Sequence, residues 1–200
     1  QAELTDEHLT ENGIEPQILQ KLNQLGPLVL SLPQTSIRDR GLASLATCPD
    51  LVGVSLLGTS ITDTGLQGLL ELPRLQMVAV ERTAVSDAGL THLARCGQLR
   101  QLYLGSTRVT DLGLEQLSGL KQLEALKLSG TEVGDRGLVA LADLPRLKYL
   151  TLDQTRVTDA GIPVLAVIKS LEFVDLQGTW VSEAGVQVLS EALPNCRIER

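Results

Sequence analysis

The hydrophobic positions of this chain recur every 24 residues between residues 27 and 194. The stretch TRVTDLGLEQL at Thr107–Leu117 returns 48 residues later as TRVTDAGIPVL at Thr155–Leu165. Seven units follow one another without insertion or deletion, and they begin at residues 27, 51, 75, 99, 123, 147 and 171. A fixed period of this length is typical of proteins built from stacked structural repeats.

Each unit contains two different hydrophobic periodicities, which we number from the first residue of the unit. Positions four and six are aliphatic in every unit, so a short strand places both side chains on one face. Positions 16, 19 and usually 22 are spaced for one face of a helix. Each unit is therefore predicted to run as strand, turn, helix and return. One unit buries too little apolar surface to fold alone, so the units are expected to stack into one parallel sheet over a shared core.

Three other positions carry nearly constant residues. Position nine is always Thr, position 13 is always acidic, and position 15 is always Gly. We expect the Thr hydroxyl to bond backbone groups in the turn. The acidic residue is predicted to cap the following helix, and the alternative is a row of cation ligands. The Gly is expected to let the first helical turn approach the neighbouring unit closely.

These positions together resemble a known repeat family. Leu99–Val109 fits the pattern L-x-x-L-x-L-x-x-T-x-V of the leucine-rich repeat, with Thr where many members carry Asn or Cys. The continuation V-T-D-x-G-L-x-x-L, at Val109–Leu117, resembles the ribonuclease-inhibitor-like and F-box-associated subclass. The resemblance implies an α/β leucine-rich repeat solenoid, a horseshoe with a parallel β-sheet on its concave face and helices on its convex face.

The two ends of the chain depart from the repeat. Residues 1–26 are predicted to form an N-terminal helical cap, with helices starting near Thr5 and covering Pro16–Leu25. Residues 27–200 form the predicted solenoid, with seven repeats over 27–194 and a short C-terminal cap over 195–200. Cys196 and Ile198 would pack against the last unit. This lightly protected edge predicts edge-to-edge self-association at the C-terminal end.

Charge and composition exclude several classes of partner. The formal net charge is −7, so the cationic surface that nucleic-acid binding requires is absent and no nucleic-acid partner is expected. No uninterrupted apolar run approaches the length of a membrane span. The compartment is left open, since the sequence fits a soluble protein that is either cytoplasmic or exported after signal removal.

Candidate chemistry is sparse. Cys48 and Cys96 both occupy position 22 two units apart, too distant for a disulfide, and are interpreted as small buried side chains. The histidines, His8 and His92, are too few to build a metal site, and no phosphate loop or catalytic triad pattern occurs. We therefore predict no enzyme activity, no metal and no cofactor.

The aromatic residues give the strongest indication of function. Tyr149 and Phe173 occupy position three, Tyr103 occupies position five, and all three are predicted to point out of the sheet. Trp180, at position ten, is predicted to lie at the rim of the same side. Aromatic and charged residues on a rigid surface are typical of interaction hot spots. The predicted partner-binding set is Tyr103, Arg108, Lys127, Tyr149, Asp153, Arg156, Phe173, Asp175 and Trp180.

These observations predict a non-catalytic module that binds a protein or peptide through the concave face of its C-terminal repeats. Tyr149 and Phe173 are the predicted anchors, with Tyr103 and Trp180 beside them. Three alternatives remain open. In the first, the aromatics have no function and lie outside only because an aliphatic core excludes rings. In the second, the chain is a recognition arm or structural spacer of a larger assembly. In the third, the chain is a glycan-binding ectodomain.

Overall fold

A computed structural model describes residues 2–10 and 13–200. Within these residues the main feature of the fold is a parallel sheet of nine strands. The strands of this sheet are β1 (Ala2–Glu3), β4 (Leu28–Ser31), β5 (Leu51–Ser55), β6 (Met77–Ala79), β7 (Gln101–Tyr103), β8 (Ala125–Lys127), β9 (Tyr149–Thr151), β10 (Phe173–Asp175) and β11 (Arg197–Glu199). From β5 onward, paired residues lie 24 positions apart, as Gln101 and Ala125 do.

The connections between strands carry short helices. The α-helices are α1 (Pro16–Gln24), α2 (Asp39–Leu42), α3 (Asp87–Leu93), α4 (Asp111–Glu115), α5 (Asp135–Leu138), α6 (Ile162–Val167) and α7 (Glu183–Ala192). Short 3-10 helices cover Asp6–His8, Ala43–Thr47, Gly65–Glu71, Gln116–Gly119, Val139–Leu141 and Asp159–Gly161. Sheet and helices together form the α/β leucine-rich repeat solenoid that the sequence predicts.

The core is a continuous column of aliphatic side chains. Leu102, Leu126 and Leu150, at position four of successive units, are completely buried. The large fully buried side chains of the described residues are Leu and Ile, and all four aromatic rings lie outside the core. Branched aliphatics interdigitate at close spacing, so rings are left on the surface.

The turn after each strand is built in the same way throughout. Position eight has a positive φ in every unit, whether it is Gly, as at Gly130, or a larger residue, as at Gln154. One residue later the Thr hydroxyl donates to the carbonyl at position six, at 2.5–3.0 Å in all seven units, and the Thr is buried in all of them except the last, where Thr179 is half-buried. The predicted role of the Thr in the turn is confirmed.

The acidic position 13 has a different role from the predicted one. Asp111 is the first residue of α4, and the cap is Thr110, whose hydroxyl accepts from the Leu112 amide at 3.3 Å. The Asp carboxylates reach the next unit instead, where Oδ1 accepts the backbone N–H of position 12 at 2.7–2.8 Å in six successive pairs. Oδ2 also accepts the hydroxyl of position 12 wherever the next unit has Ser or Thr there. The carboxylates therefore join neighbouring repeats, and they are already occupied by protein donors.

The Gly at position 15 makes this contact between units possible. A Cβ on Gly65 would lie 2.5 Å from Oδ1 of Asp39, and one on Gly137 would lie 2.6 Å from Oδ1 of Asp111. The close approach predicted from the sequence is confirmed, and the group being approached is the carboxylate of the preceding unit.

The N-terminal segment contains strands as well as helices. β1 pairs in parallel with β4, while β2 (Leu9–Thr10) and β3 (Gly13–Ile14) form a separate antiparallel pair. β1 covers the otherwise open edge of β4, which explains why a two-residue strand forms there. The sequence assigned residues 1–26 to a helical cap and did not predict these strands. The division into a cap and a repeat domain stays a prediction.

At the other end, β11 adds the last strand of the sheet. The Arg197 amide donates to Glu172 O at 2.8 Å, and the Leu176 amide donates to Glu199 O at the same distance. Cys196 and Ile198 are half-buried against the core. Within the described residues β11 has a strand partner on one side only.

Candidate functional site

Two columns of side chains run across the strands on the concave face. Because β7 to β11 pair in constant register, position three lines up as Gln101, Ala125, Tyr149, Phe173 and Arg197. Position five lines up, in the same way, as Tyr103, Lys127, Thr151, Asp175 and Glu199. Position four, between the two columns, points into the core. Five of the nine predicted site residues therefore share one sheet face.

The structure brings the two predicted anchors together. Tyr149 and Phe173 are paired residues on adjacent strands, at the usual strand separation of about 4.8 Å. Tyr149 is 48% exposed, while Phe173 is half-buried and has the Arg197 guanidinium 5.8 Å from its ring centre. We call Tyr149 and Phe173 the aromatic pair.

Tyr103 and Lys127 form a second contact on the same face. The Lys127 ammonium lies 4.7 Å from the centre of the Tyr103 ring, within the range of a cation–π interaction. The Tyr103 hydroxyl donates to Gln101 Oε1 at 2.9 Å. Burial raises the pKa of the Tyr103 phenol, and the negative charge of Glu81 raises it further. The phenol is therefore a neutral hydrogen-bond donor at physiological pH.

Ion pairs at position two form one border of this face. Arg100 pairs with Glu124 at 2.6 Å, and Lys148 pairs with Glu172 at 2.7 Å. The hydrogen bond between Lys148 and Glu172 raises the pKa of the lysine and lowers that of the glutamate. Glu172 also accepts from the Tyr149 hydroxyl at 3.2 Å, so this pair holds the exposed ring in place. Such exposed pairs contribute little to stability.

The three predicted residues at position ten lie apart from the aromatic pair. Arg108, Arg156 and Trp180 follow the positive-φ turn, where each forms an isolated bridge to position 12 of the preceding unit. Arg156 pairs with Glu132 at 3.1 Å, and Trp180 is 77% exposed. These residues form a separate outer row beside the sheet face.

The two predicted acidic residues are held by local hydrogen bonds. Asp153 accepts from the Ser129 hydroxyl, and Asp175 accepts from the Gln177 amide at 2.9 Å. Both are half-buried. Their carboxylates are thus fixed in position while part of each still faces solvent.

Sequence reasoning missed an open depression next to Tyr103. It has a volume of about 350 Å³ and is lined by Leu57, Glu81, Arg82, Gly105, Ser106, Lys127 and Ser129. The depression is open at Gly105 because this residue has no side chain, whereas position seven carries a side chain in each of the other six units. This single Gly at position seven is the sequence feature that could have indicated the depression.

Other chemistry is limited among the described residues. Cys48, Cys96 and Cys196 are free thiols, and burial raises the pKa of each one. Cys48 is buried and Cys96 is half-buried. No group of three or more His, Cys, Asp or Glu is placed to hold a metal within residues 2–10 and 13–200. Over the same residues, no helix has the length and apolar character needed to cross a membrane.

Comparisons with known proteins identify the repeat and the fold. A family model described as leucine rich repeat matches residues 97–157. An internalin C2 from Listeria monocytogenes is 24% identical with a TM-score of 0.69, covering 90% of this chain and 72% of that one. A second Listeria monocytogenes internalin, inlF, is 18% identical with a TM-score of 0.65, covering 95% of this chain and 58% of that one. No curated protein matches the sequence. The chain thus has an α/β solenoid fold similar to that of the internalins, and residues 97–157 match the leucine rich repeat model.

Proposed function

We propose that this chain is a non-catalytic module that binds a protein or peptide on the concave face of its C-terminal repeats. The observation that carries the proposal is the aromatic pair, which stands side by side on β9 and β10. Large rings on a rigid surface gain much contact area on binding and lose little conformational entropy. The resemblance to internalins supports the fold on which this proposal rests.

The surroundings of the aromatic pair are already ordered. Tyr149 is held by Glu172, which is held in turn by Lys148, and Phe173 lies against Arg197. A partner therefore meets rings that already make contacts in the free chain, which reduces the entropic cost of binding. Lys127 and Arg108 supply positive charge to the surface, and Asp153 and Asp175 supply negative charge.

The test is capture of a partner from native extract by the wild-type chain and by Tyr149→Ala/Phe173→Ala. We expect the double variant to lose the captured protein, because the anchors supply most of the contact energy. Val139→Ala is the matched control, since Val139 is 60% exposed on a convex 3-10 helix. Capture should survive that change. Equal capture by the double variant and the wild type would contradict the proposal.

Stability must be followed in the same variants. Tyr149→Ala should alter the free energy of unfolding by no more than about 0.5 kcal/mol, because half of the ring is already in solvent. Phe173→Ala should cost somewhat more, because Phe173 is half-buried. Chemical denaturation of each single variant separates loss of binding from loss of fold.

We also propose two finer assignments. The V-T-D-x-G-L continuation favours the ribonuclease-inhibitor-like subclass of repeats. The one-sided pairing of β11 favours weak self-association at the C-terminal edge. Arg197 and Glu199 form an ion pair on that edge, and charged edge side chains oppose long-lived pairing. Sedimentation velocity at increasing concentration tests this, and a monomer at every concentration would rule it out.

A further inference from the structure

The outer edge of β11 carries backbone groups that no strand satisfies. In the part of the chain that the structure describes, β11 pairs with β10 alone. The Arg197 amide donates to Glu172 O, and Glu199 O accepts from the Leu176 amide, so residues 197 and 199 use their backbone groups on the β10 side. Successive residues of a strand turn these groups to opposite sides, so the amide and carbonyl of Ile198 point away from β10.

The side chains of the same strand form a charge pattern that is its own complement. Arg197 and Glu199 project from the concave face and form an ion pair with each other. Ile198 projects from the opposite face, where it is half-buried against the core. The strand therefore has a cation on one side of Ile198 and an anion at the same distance on the other side.

We propose that a second copy of this chain pairs with β11 in antiparallel orientation, about a two-fold axis beside Ile198. This inference rests on the self-association proposed above and specifies its geometry. Each Ile198 amide donates to the Ile198 carbonyl of the other copy, which satisfies the outward groups of both strands. Arg197 of each copy lies opposite Glu199 of the other, in the kind of antiparallel pair where facing side chains are closest.

The order of the charges favours this dimer over head-to-tail stacking. In the antiparallel pair, four charges alternate in sign around the axis, so each Arg197 lies between two carboxylates. Stacking β11 on β1 of another copy would continue the parallel register, in which Ala2 and Glu3 align with positions four and five. Glu3 would then lie beside Glu199, and like charges directly opposite each other destabilise a strand pair.

The dimer joins two concave faces into one surface. A two-fold axis perpendicular to the sheet keeps both concave faces on the same side, so the two nine-stranded sheets become continuous. Phe173 lies on β10, next to β11, so the strands that carry Phe173 in the two copies are three steps of about 4.8 Å apart. The dimer therefore presents two aromatic pairs to one partner.

Charge exchange on β11 tests this geometry. Arg197→Glu and Glu199→Arg each place like charges opposite each other in a dimer of identical chains, so each variant should dimerise about tenfold more weakly than the wild type. An equimolar mixture of the two variants places unlike charges opposite each other at both sites, so dimerisation should return. Sedimentation velocity over a concentration series measures the association constant of each sample.

Matched charge changes away from β11 are the controls. Arg95→Glu alters an exposed residue that follows α3, and Glu71→Arg alters the exposed last residue of the 3-10 helix Gly65–Glu71. Both variants should dimerise as the wild type does, because neither residue lies on an edge strand. Equal weakening in the controls would attribute the effect to net charge and overturn the assignment to β11.

The outcomes separate this inference from the proposals on which it rests. A dimer that ignores both charge changes, or a mixture that fails to dimerise, would overturn the antiparallel geometry and leave self-association standing. Assemblies larger than a dimer that Glu199→Arg strengthens would identify head-to-tail contact with Glu3 and also overturn it. A monomer at every concentration would overturn self-association itself, while the capture experiment still decides binding on the concave face.

Discussion

At the scale of single residues, the contact between Asp at position 13 and Gly at position 15 joins each repeat to the next. The carboxylate of Asp111 accepts the Gly134 amide at 2.7 Å and lies where a Cβ on Gly137 would be. Each residue of the motif is therefore required by a neighbour in another unit. This explains why the two residue types recur in register.

A substitution at Gly137 tests this contact. Gly137→Ala places a methyl group 2.6 Å from Asp111 Oδ1 and 3.0 Å from Asp111 Cα, so the two units must move apart. We expect a loss of about 1–3 kcal/mol in the free energy of unfolding, measured by chemical denaturation. Gly119→Ala is the control, since nothing lies within 4 Å of its added Cβ. It should change stability by less than about 0.5 kcal/mol, and equal effects at both sites would refute the steric argument.

At the scale of elements, the same carboxylates couple the position-12 segments of neighbouring units. Asp159 accepts both the amide and the hydroxyl of Ser182, the residue that caps α7. The backbone hydrogen bond from Ser182, followed by its hydroxyl, lowers the pKa of Asp159 below the ordinary value of 3.8. This contact is therefore strongest when the carboxylate is ionised.

This contact predicts a specific pH dependence. A carboxylate whose pKa is lower in the folded state stabilises the fold above its unfolded pKa, and that stabilisation is lost as the pH falls through the folded pKa. Asp159→Asn should therefore be less stable than the wild type at pH 7, and the difference should shrink as the pH drops below 4. Asp143→Asn, at an exposed position that follows α5, is the control and should show no such trend. A deficit for Asp159→Asn that persists at pH 2.5 would show that ionisation is not the cause.

The elements also show how far the sequence could predict the structure. The register and the aliphatic core followed from a hydrophobic period that each unit repeats. The role of Asp111 was predicted wrongly, because capping rules consider one helix at a time, whereas its acceptor role depends on the distance to the next unit. The strand β1 was not predicted, because Ala2 and Glu3 show no hydrophobic periodicity and form a strand only by pairing with β4.

The candidate site was predictable to a similar extent. Alternation along a strand places Tyr149 and Phe173 on the concave face, and their pairing follows from the 24-residue spacing. The contacts of these rings with Glu172 and Arg197 depend on side-chain conformation, which the pattern does not contain. The sequence predicts Trp180 at the rim of the same side as these rings. In the structure, the turn at position eight separates Trp180 from them.

At the scale of the whole molecule, stacking produces a rigid surface whose two ends differ. The position-three column runs from Gly53 and Met77 to Tyr149 and Phe173, so the rings are concentrated at one end. Repeat proteins hold their shape through contacts between neighbouring units, and every strand from β4 to β10 has a partner on both sides. Binding should therefore leave the backbone nearly unchanged.

The most direct test of the central claim is to determine which face of the molecule touches the captured partner. A photo-crosslinking phenylalanine analogue is placed at Tyr149, at Phe173 and, on the convex side, at Val139, and each protein is irradiated with the partner present. The account predicts covalent adducts from positions 149 and 173 and none from position 139. Adducts from position 139 alone would place the partner on the helices and contradict a binding surface on the concave sheet.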